Sequence, residues 1–271
     1  MAYDLNNKVA LITGGAGGLG QAICLQLLEK GAKVVAIDID ETVLQSMTSE
    51  IAHDNLQVQC CDITNHESCC SAIEASKQHF GDIDIIINNA GVTHFGRFEE
   101  SSAEVINRVL DINLKGAVNI THAAIAGIIK NKGVIVGISS VAGFAPLYGR
   151  SGYSASKYGL SGLLATLGAE LKERNVVVLT VYPAFIQTQK SVRQASTSAQ
   201  IVERPGQASQ TQGEIMTPGF AASQIISAIE KRKSQLLLGK VAHIAWWLFR
   251  FFPWLYTSIM INKTRREIEH D

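Results

Sequence analysis

Short apolar runs recur along the chain at Val9–Ile12, Val34–Ile37, Leu56–Cys61, Ile83–Ile87, Val134–Ile138, Val176–Val181 and Leu236–Leu238. They are rich in Val and Ile and lack the in/out alternation of a strand wetted on one side. Such runs predict strands buried on both faces, as in a parallel sheet. Helix-length stretches separate most of them, at Leu19–Lys30, Thr42–His53, Glu67–Phe80, Ala103–Ile129, Ser154–Arg174 and Phe220–Lys231. The alternation predicts a doubly wound α/β fold, a parallel seven-stranded sheet with helices on both faces. It runs as one domain over residues 1–240, leaving 241–271 as an extension.

Two stretches break the rhythm. Residues 187–216 are dense in Gln, Ser and Thr and lack periodicity. They read either as a surface loop or as a lid over a binding site, the latter because so long a connection inside a compact domain is unusual. The extension holds all three tryptophans, Trp246, Trp247 and Trp254, with Phe249, Phe251 and Phe252. Arg250 and Pro253 in its middle disfavour a membrane span. Two readings stay open: a surface-lying membrane anchor with Lys263, Arg265 and Arg266 meeting anionic head groups, or a segment packed over a substrate cleft or subunit interface.

Composition narrows the function classes. Lys plus Arg and Asp plus Glu both number 24, so the overall charge gives no pull toward nucleic acid. The five cysteines, Cys24, Cys60, Cys61, Cys69 and Cys70, have neither metal-ligand nor C-x-x-C spacing, and the seven histidines show no zinc-type pairing. No metal site is expected. The first strand begins within a few residues of the start with no cleavable apolar leader before it, which implies residence in the cytosol.

The chemistry begins where the first strand ends, in Thr13-Gly14-Gly15-Ala16-Gly17-Gly18-Leu19-Gly20, directly before a helix. Glycines there permit positive φ and let a diphosphate reach backbone N–H groups at the helix start. The second strand ends in Asp38, eighteen positions after Gly20. A carboxylate at that strand end can accept hydrogen bonds from an adenosine ribose diol and would repel a 2′-phosphate. With no Lys or Arg in the glycine turn or in Asp38-Ile39-Asp40, the cofactor implied is NAD rather than NADP. The plainer alternative is that Asp38 caps the next helix, although Asp40 is better placed to do so.

Tyr153-Ser154-Ala155-Ser156-Lys157 opens the longest helical pattern, and residues four apart share a face. A free tyrosine titrates near about 10; lowering this by roughly 3 units takes about 4 kcal/mol of phenolate stabilisation, which a close ammonium and a cationic nicotinamide would supply. Ser140, at the end of Val134–Ile138, is placed to hold a substrate oxygen while Tyr153 exchanges its proton. Asn113 is an amide inside a helical pattern, where propensity disfavours it, which suggests a buried polar role.

Together these residues resemble the short-chain dehydrogenase/reductase family, in its single-domain Rossmann-like branch, from about Lys8 to Leu238. The resemblance also rests on Asp62 after the third strand, Asn88-Asn89-Ala90-Gly91, Ser139-Ser140-Val141-Ala142-Gly143, and Pro183 with Thr188. It implies adenine binding at Asp62 and Ile63, cofactor contacts at Asn89, Ala90 and Gly91, which also firm the central sheet, and an Asn113-Ser140-Tyr153-Lys157 proton relay in which Tyr153 and Lys157 also contact the cofactor, Lys157 at the nicotinamide ribose. Ser140, thirteen residues before Tyr153, matches the family serine, and Ser139 is read as structural. One departure stands out. Pro183-Ala184 replaces the usual Pro-Gly, whose glycine lets backbone approach the nicotinamide, while Ile186 and Thr188 remain to contact the carboxamide.

The function so implied is hydride transfer between NAD(H) and a lipophilic secondary alcohol or ketone of steroid, retinoid or acyl-chain type. Phe144 and Leu147 are expected to line the substrate pocket with Ser140 and Tyr153, near Tyr148, His94 and Phe95. A 3-oxoacyl thioester reductase is the alternative within enzymes. From another class, a dinucleotide-binding sensor or scaffold would have shown itself by loss of Tyr153 or Lys157. Similar proteins assemble as homodimers or homotetramers through two long helices, here Ala103–Ile129 and Ser154–Arg174.

Overall fold

The computed structural model describes residues 2–187 and 215–268, with side chains described through Asn262. Most of the lid segment, 188–214, and with it Thr188, lies outside the described residues. Seven strands form one sheet: β1 (Val9–Thr13), β2 (Lys33–Asp38), β3 (Leu56–Cys60), β4 (Ile85–Asn88), β5 (Val134–Ile138), β6 (Val177–Pro183) and, after the short pair β7 (Phe185–Ile186) and β8 (Ile215–Met216), β9 (Gln235–Leu238). Their spatial order is β3-β2-β1-β4-β5-β6-β9, with every pairing parallel. All seven runs read from the sequence are thus strands of the sheet.

The absence of alternation has its reason in two cores. Ala10 and Ile12 of β1 join one cluster with Ile23 and Leu27 of α1 (Gly18–Glu29) and Ile225 and Ile229 of α7 (Pro218–Glu230). Val9 and Leu11 join the other, with Cys69 and Ala72 of α3 (His66–Phe80), Ile120 and Ala124 of α5 (Gly116–Lys130), and Leu160 and Leu164 of α6 (Ser151–Glu170). Successive strand residues point to opposite faces, and both faces are dry, so both positions must be apolar. β2 lies on one side of β1 and β4 on the other, so the chain reverses its winding between β1 and β4. The carboxyl ends of those strands are where an open α/β sheet receives its ligand.

Two helices differ from expectation. The stretch expected as one helix over Ala103–Ile129 is α4 (Ala103–Leu110), a π turn over Asp111–Lys115, then α5. The wider turn carries Asn113 into the protein, where its amide groups find partners that a regular helix would not offer. This stretch is also long and apolar enough to cross a membrane, but it packs against α3, β4 and β5 as a core element. α6 starts at Ser151, three residues before the expected Ser154, so Tyr153 lies within its first turn; it ends at Glu170, and Lys172–Arg174 continue as 3-10 helix.

The extension is a helical hairpin. α8 (Lys240–Phe251) and α9 (Pro253–Ile268) flank Phe252, and Pro253 starts the second helix without needing a backbone donor. Ala242, Ala245 and Tyr256 bury themselves against Val141 and Ala145, with Phe144, Leu248, Phe249 and Met260 packed around them.

Candidate active site

The glycine turn joins β1 to α1 at the switch point. Gly14 has φ of 60°, a conformation that favours glycine, and a Cβ on Gly20 would overlap the Gly14 carbonyl oxygen. Asn89 fastens the turn to β4: its Nδ2 donates to the carbonyls of Thr13 and Gly14 at 3.0 and 3.1 Å, while its backbone N–H and that of Ala90 donate to Thr13 Oγ1. α1 begins at Gly18 with Gly17 as N-cap, no side-chain cap and no acidic residue in its first turn. Its first N–H groups therefore suit an anion, and the turn fits a dinucleotide diphosphate. Leu19 buries its side chain in the core, so it can serve a ligand only through its backbone.

Asp38 ends β2 with its side chain buried. It does not cap α2 (Glu41–Ile51); Asp40 does, accepting from Thr42 and Val43 N–H. At the end of β3, Asp62 Oδ1 accepts from the Thr64 backbone N–H and hydroxyl, which shapes the turn that holds Ile63. The Ile63 carbonyl accepts from Asn119 Nδ2 at 2.9 Å.

The reacting groups converge beyond β4 and β5. Asn113 is buried; its Oδ1 accepts from Val92 N–H at 2.8 Å, and its Nδ2 donates to the Val92 carbonyl and to Ser156 Oγ. Ser156 in turn donates to the Tyr153 carbonyl at 2.7 Å. Gly91 stands between Asn113 and Lys157: a Cβ there would lie 3.2 Å from Asn113 Oδ1 and 3.5 Å from Lys157 Nζ. Lys157 is 5% exposed, donates to the Ile138 carbonyl at 2.8 Å, and holds its ammonium 5.8 Å from the centre of the Tyr153 ring. Ser140 Oγ accepts from Ala142 N–H. Ser139 is tied away from the crevice, to Ser161 and the Lys157 carbonyl, as befits a structural residue.

The electrostatics bear on one expectation. Burial raises the Tyr153 pKa above its ordinary value, against the lowering effects of a hydrogen bond with Ser140 and of the Arg150 cation. Lys157 is not the source of relief: burial pushes its own pKa down to about 8. The desolvation that makes the site reactive works on both groups, and a low Tyr153 pKa is not a property of the protein alone.

Arg150 is a residue that motif reasoning missed. It precedes α6, hydrogen-bonds Thr93 through Nη1, and sets its guanidinium 5.9 Å from the Tyr153 ring centre and 5.5 Å from that of Phe95. Nothing in its spacing announces this, because the loop and not a helical repeat places it. Ser156 was within the Tyr153–Lys157 motif, yet its link to Asn113 appears only through the π turn. His94 bonds Ser101 at 2.8 Å, and burial, then Arg150, lowers its pKa.

The substrate-side residues divide. Phe144 packs edge-on against Tyr182 and Trp246, at 5.3 and 4.9 Å between ring centres. Its ring is thus part of the seam under α8. Leu147 lies half-buried in the same loop, between Pro146, whose carbonyl accepts from the Tyr256 hydroxyl, and Tyr148, whose N–H points to Met260 sulfur. The aromatic extension therefore packs on the loop following Ser140. Pro183 closes β6, and Ala184 sits in the same seam with its N–H donating to the Leu238 carbonyl. Ala184 is not among the described non-glycine residues with positive φ, so alanine fits there without strain. Ile186 pairs with Met216 and is half-buried against the core. Among the described residues no group of three or more metal-type ligands occurs.

A diphosphate-ready helix start at the switch point, together with a half-buried Tyr153 and a buried Lys157 on α6, fits a dinucleotide-dependent oxidoreductase. A family model described as short chain dehydrogenase matches residues 8–199, and the chain belongs to that family. It is 36% identical over 187 residues to the 3-oxoacyl-[acyl-carrier-protein] reductase of Thermotoga maritima, covering 68% of this chain and 76% of the relative. It is 29% identical over 271 residues to dehydrogenase/reductase SDR family member 7B of Mus musculus, covering 97% and 83%. A short chain dehydrogenase/reductase from Burkholderia phymatum, solved in complex with NAD, superimposes with a TM-score of 0.78 at 25% identity, over 90% of this chain and 91% of that one.

Proposed function

We propose that this protein is an NAD-linked alcohol dehydrogenase or carbonyl reductase for lipophilic secondary alcohols or ketones. The observation that carries the reading is the meeting of Tyr153, Ser140 and buried Lys157 at the strand ends that also present the glycine turn. When bound, the nicotinamide supplies or accepts the hydride. Ser140 holds the substrate oxygen, and the Tyr153 hydroxyl gives it a proton during reduction or takes one during oxidation. Lys157 holds positive charge beside the phenol, and Asn113 acts through Ser156 and the Tyr153 carbonyl to position the start of α6. Gly14, Gly18, Leu19 and Gly20 would hold the diphosphate, Asp62 and Ile63 the adenine, and Pro183, Ile186 and Thr188 the carboxamide.

Asp38 supports NAD over NADP, since its carboxylate closes β2, where it can accept from a ribose diol and would repel a 2′-phosphate, while Asp40 caps α2. The Burkholderia protein's complex with NAD agrees with this choice. The apolar seam of Phe144, Trp246 and Leu147 supports a lipophilic substrate, while the Thermotoga relative's activity on 3-oxoacyl carrier protein favours acyl thioesters as a second reading. Exposed Val118 on α5 and Tyr158 on α6 suit assembly through those helices into a dimer or tetramer.

A panel of ketones and 3-oxoacyl thioesters assayed with NADH and NADPH side by side tests this. The expected result is turnover of apolar ketones with NADH at least tenfold more efficient than with NADPH, a preference that Asp38→Ala erodes. A wild-type preference for NADPH would refute the cofactor assignment.

A further inference from the structure

The α8–α9 hairpin has two apolar faces, and the body of the protein uses only one. Ala242, Ala245 and Tyr256 are buried on the inner face. The outer face of α8 presents Lys240, Ile244, Trp247 and Phe251, at helical spacings of four, three and four, and all are exposed. Trp247 and Phe251 stack nearly parallel, 5.5 Å between ring centres. Phe252, Trp254, Ile259 and Ile261 extend this exposed apolar set through the bend and along α9, Trp254 being 71% exposed. Large apolar side chains gathered this way mark an interaction surface.

Charge and length identify what meets it. From 240 to 271 the sequence carries Lys240, Arg250, Lys263, Arg265 and Arg266 against Glu267, Glu269 and Asp271, the acids confined to the last five residues, in a chain whose formal net charge is +0. Lys240 and Arg250 are exposed. An isologous contact through the exposed face of α8 would bring Lys240 and Arg250 toward their own copies, and α8 holds no acid to answer them. An anionic lipid surface supplies the missing sign, and tryptophan and phenylalanine suit the boundary between head groups and acyl chains. Spanning is excluded for the hairpin: α8 has 12 residues and α9 has 16, with Pro253 between them, against about 20 for a bilayer core.

We propose that the hairpin docks the protein flat on an anionic membrane through Ile244, Trp247, Phe251, Phe252 and Trp254, while its inner face stays packed on the loop after Ser140. The docking does not depend on which substrate is turned over. Because the same two helices touch the membrane and cover Phe144 and Tyr148, the docked protein would open its substrate side close to the lipid.

Flotation of the full-length protein with vesicles tests this. The protein is expected to rise with phosphatidylcholine vesicles containing phosphatidylglycerol, to bind pure phosphatidylcholine far less, and to be partly released by salt. The paired variant Trp247→Ser with Trp254→Ser should lose at least tenfold in bound fraction while keeping NADH affinity; Trp254→Ser alone should lose several-fold and serves should the pair disturb folding. Phe98→Ser, which removes an exposed aromatic elsewhere, should change nothing. Failure to float with either vesicle, or equal flotation of wild type and the tryptophan variants, overturns the proposal. So does a fall in oligomer size in those variants without any vesicle binding, which would give the face to a second copy.

Discussion

Tyr153→Phe is expected to lower turnover by about 10²–10⁴-fold, the usual contribution of a positioned acid or base, with dinucleotide affinity nearly unchanged. The change removes one oxygen and keeps the ring that lies between Arg150 and Lys157. Ser140 would still hold a carbonyl, but no group would deliver the proton. Because burial raises the phenol pKa, the hydroxyl is a ready donor at neutral pH and a base only at alkaline pH. Ketone reduction should therefore be favoured at neutral pH and alcohol oxidation should climb as pH rises, both measured as initial rates of NADH absorbance change. Equal pH profiles in the two directions would contradict this role.

The second large effect concerns Lys157, which trades stability for function. Burial pushes its pKa in the folded protein down to about 8, against the ordinary lysine value of 10.5. The unfolded chain thus holds this proton more tightly than the folded one. Stability lost to burying the ammonium is greatest below pH 8 and is regained as pH rises from there toward the unfolded value. The difference amounts to about 3 kcal/mol, offset by about 1 kcal/mol for the hydrogen bond to Ile138. Lys157→Met should therefore be more stable than wild type by roughly 2 kcal/mol at pH 7 and lose that advantage at alkaline pH, while turnover falls at least about 100-fold. Urea denaturation at several pH values measures the first and steady-state assay the second. A stability difference that does not vary with pH would show that the ammonium is not desolvated as described.

Much of this was legible in the residues. Runs such as Val34–Ile37 could be read as doubly buried strands because both faces of the sheet are dry, and that requires apolar residues at every position. Tyr153 and Lys157 follow from a spacing of four on one helix. Other features depend on contacts between distant segments. The π turn leaves the apolar spacing of 103–130 nearly intact, so only the Asn113 amide, bonded to Val92 and Ser156, reveals it. Arg150 reaches Tyr153 from a loop held to Thr93, which no periodicity records. The lowering of the Tyr153 pKa was expected from an ammonium and a cationic nicotinamide together; in the protein alone burial, invisible in a spacing, raises it. For the extension, composition indicated aromatic contact but could not sort faces: packing on the loop after Ser140 accounts for the inner one and leaves Trp247 and Trp254 outside.

The central claim is that a hydride and the Tyr153 proton arrive on one carbonyl. NADH carrying deuterium at the transferable nicotinamide position, incubated with the apolar ketone that wild type turns over best, tests it by mass spectrometry of the alcohol formed. Wild type should place one deuterium on the carbinol carbon and Tyr153→Phe should form almost no labelled alcohol; an unlabelled product, or equal labelling by the variant, would contradict the account.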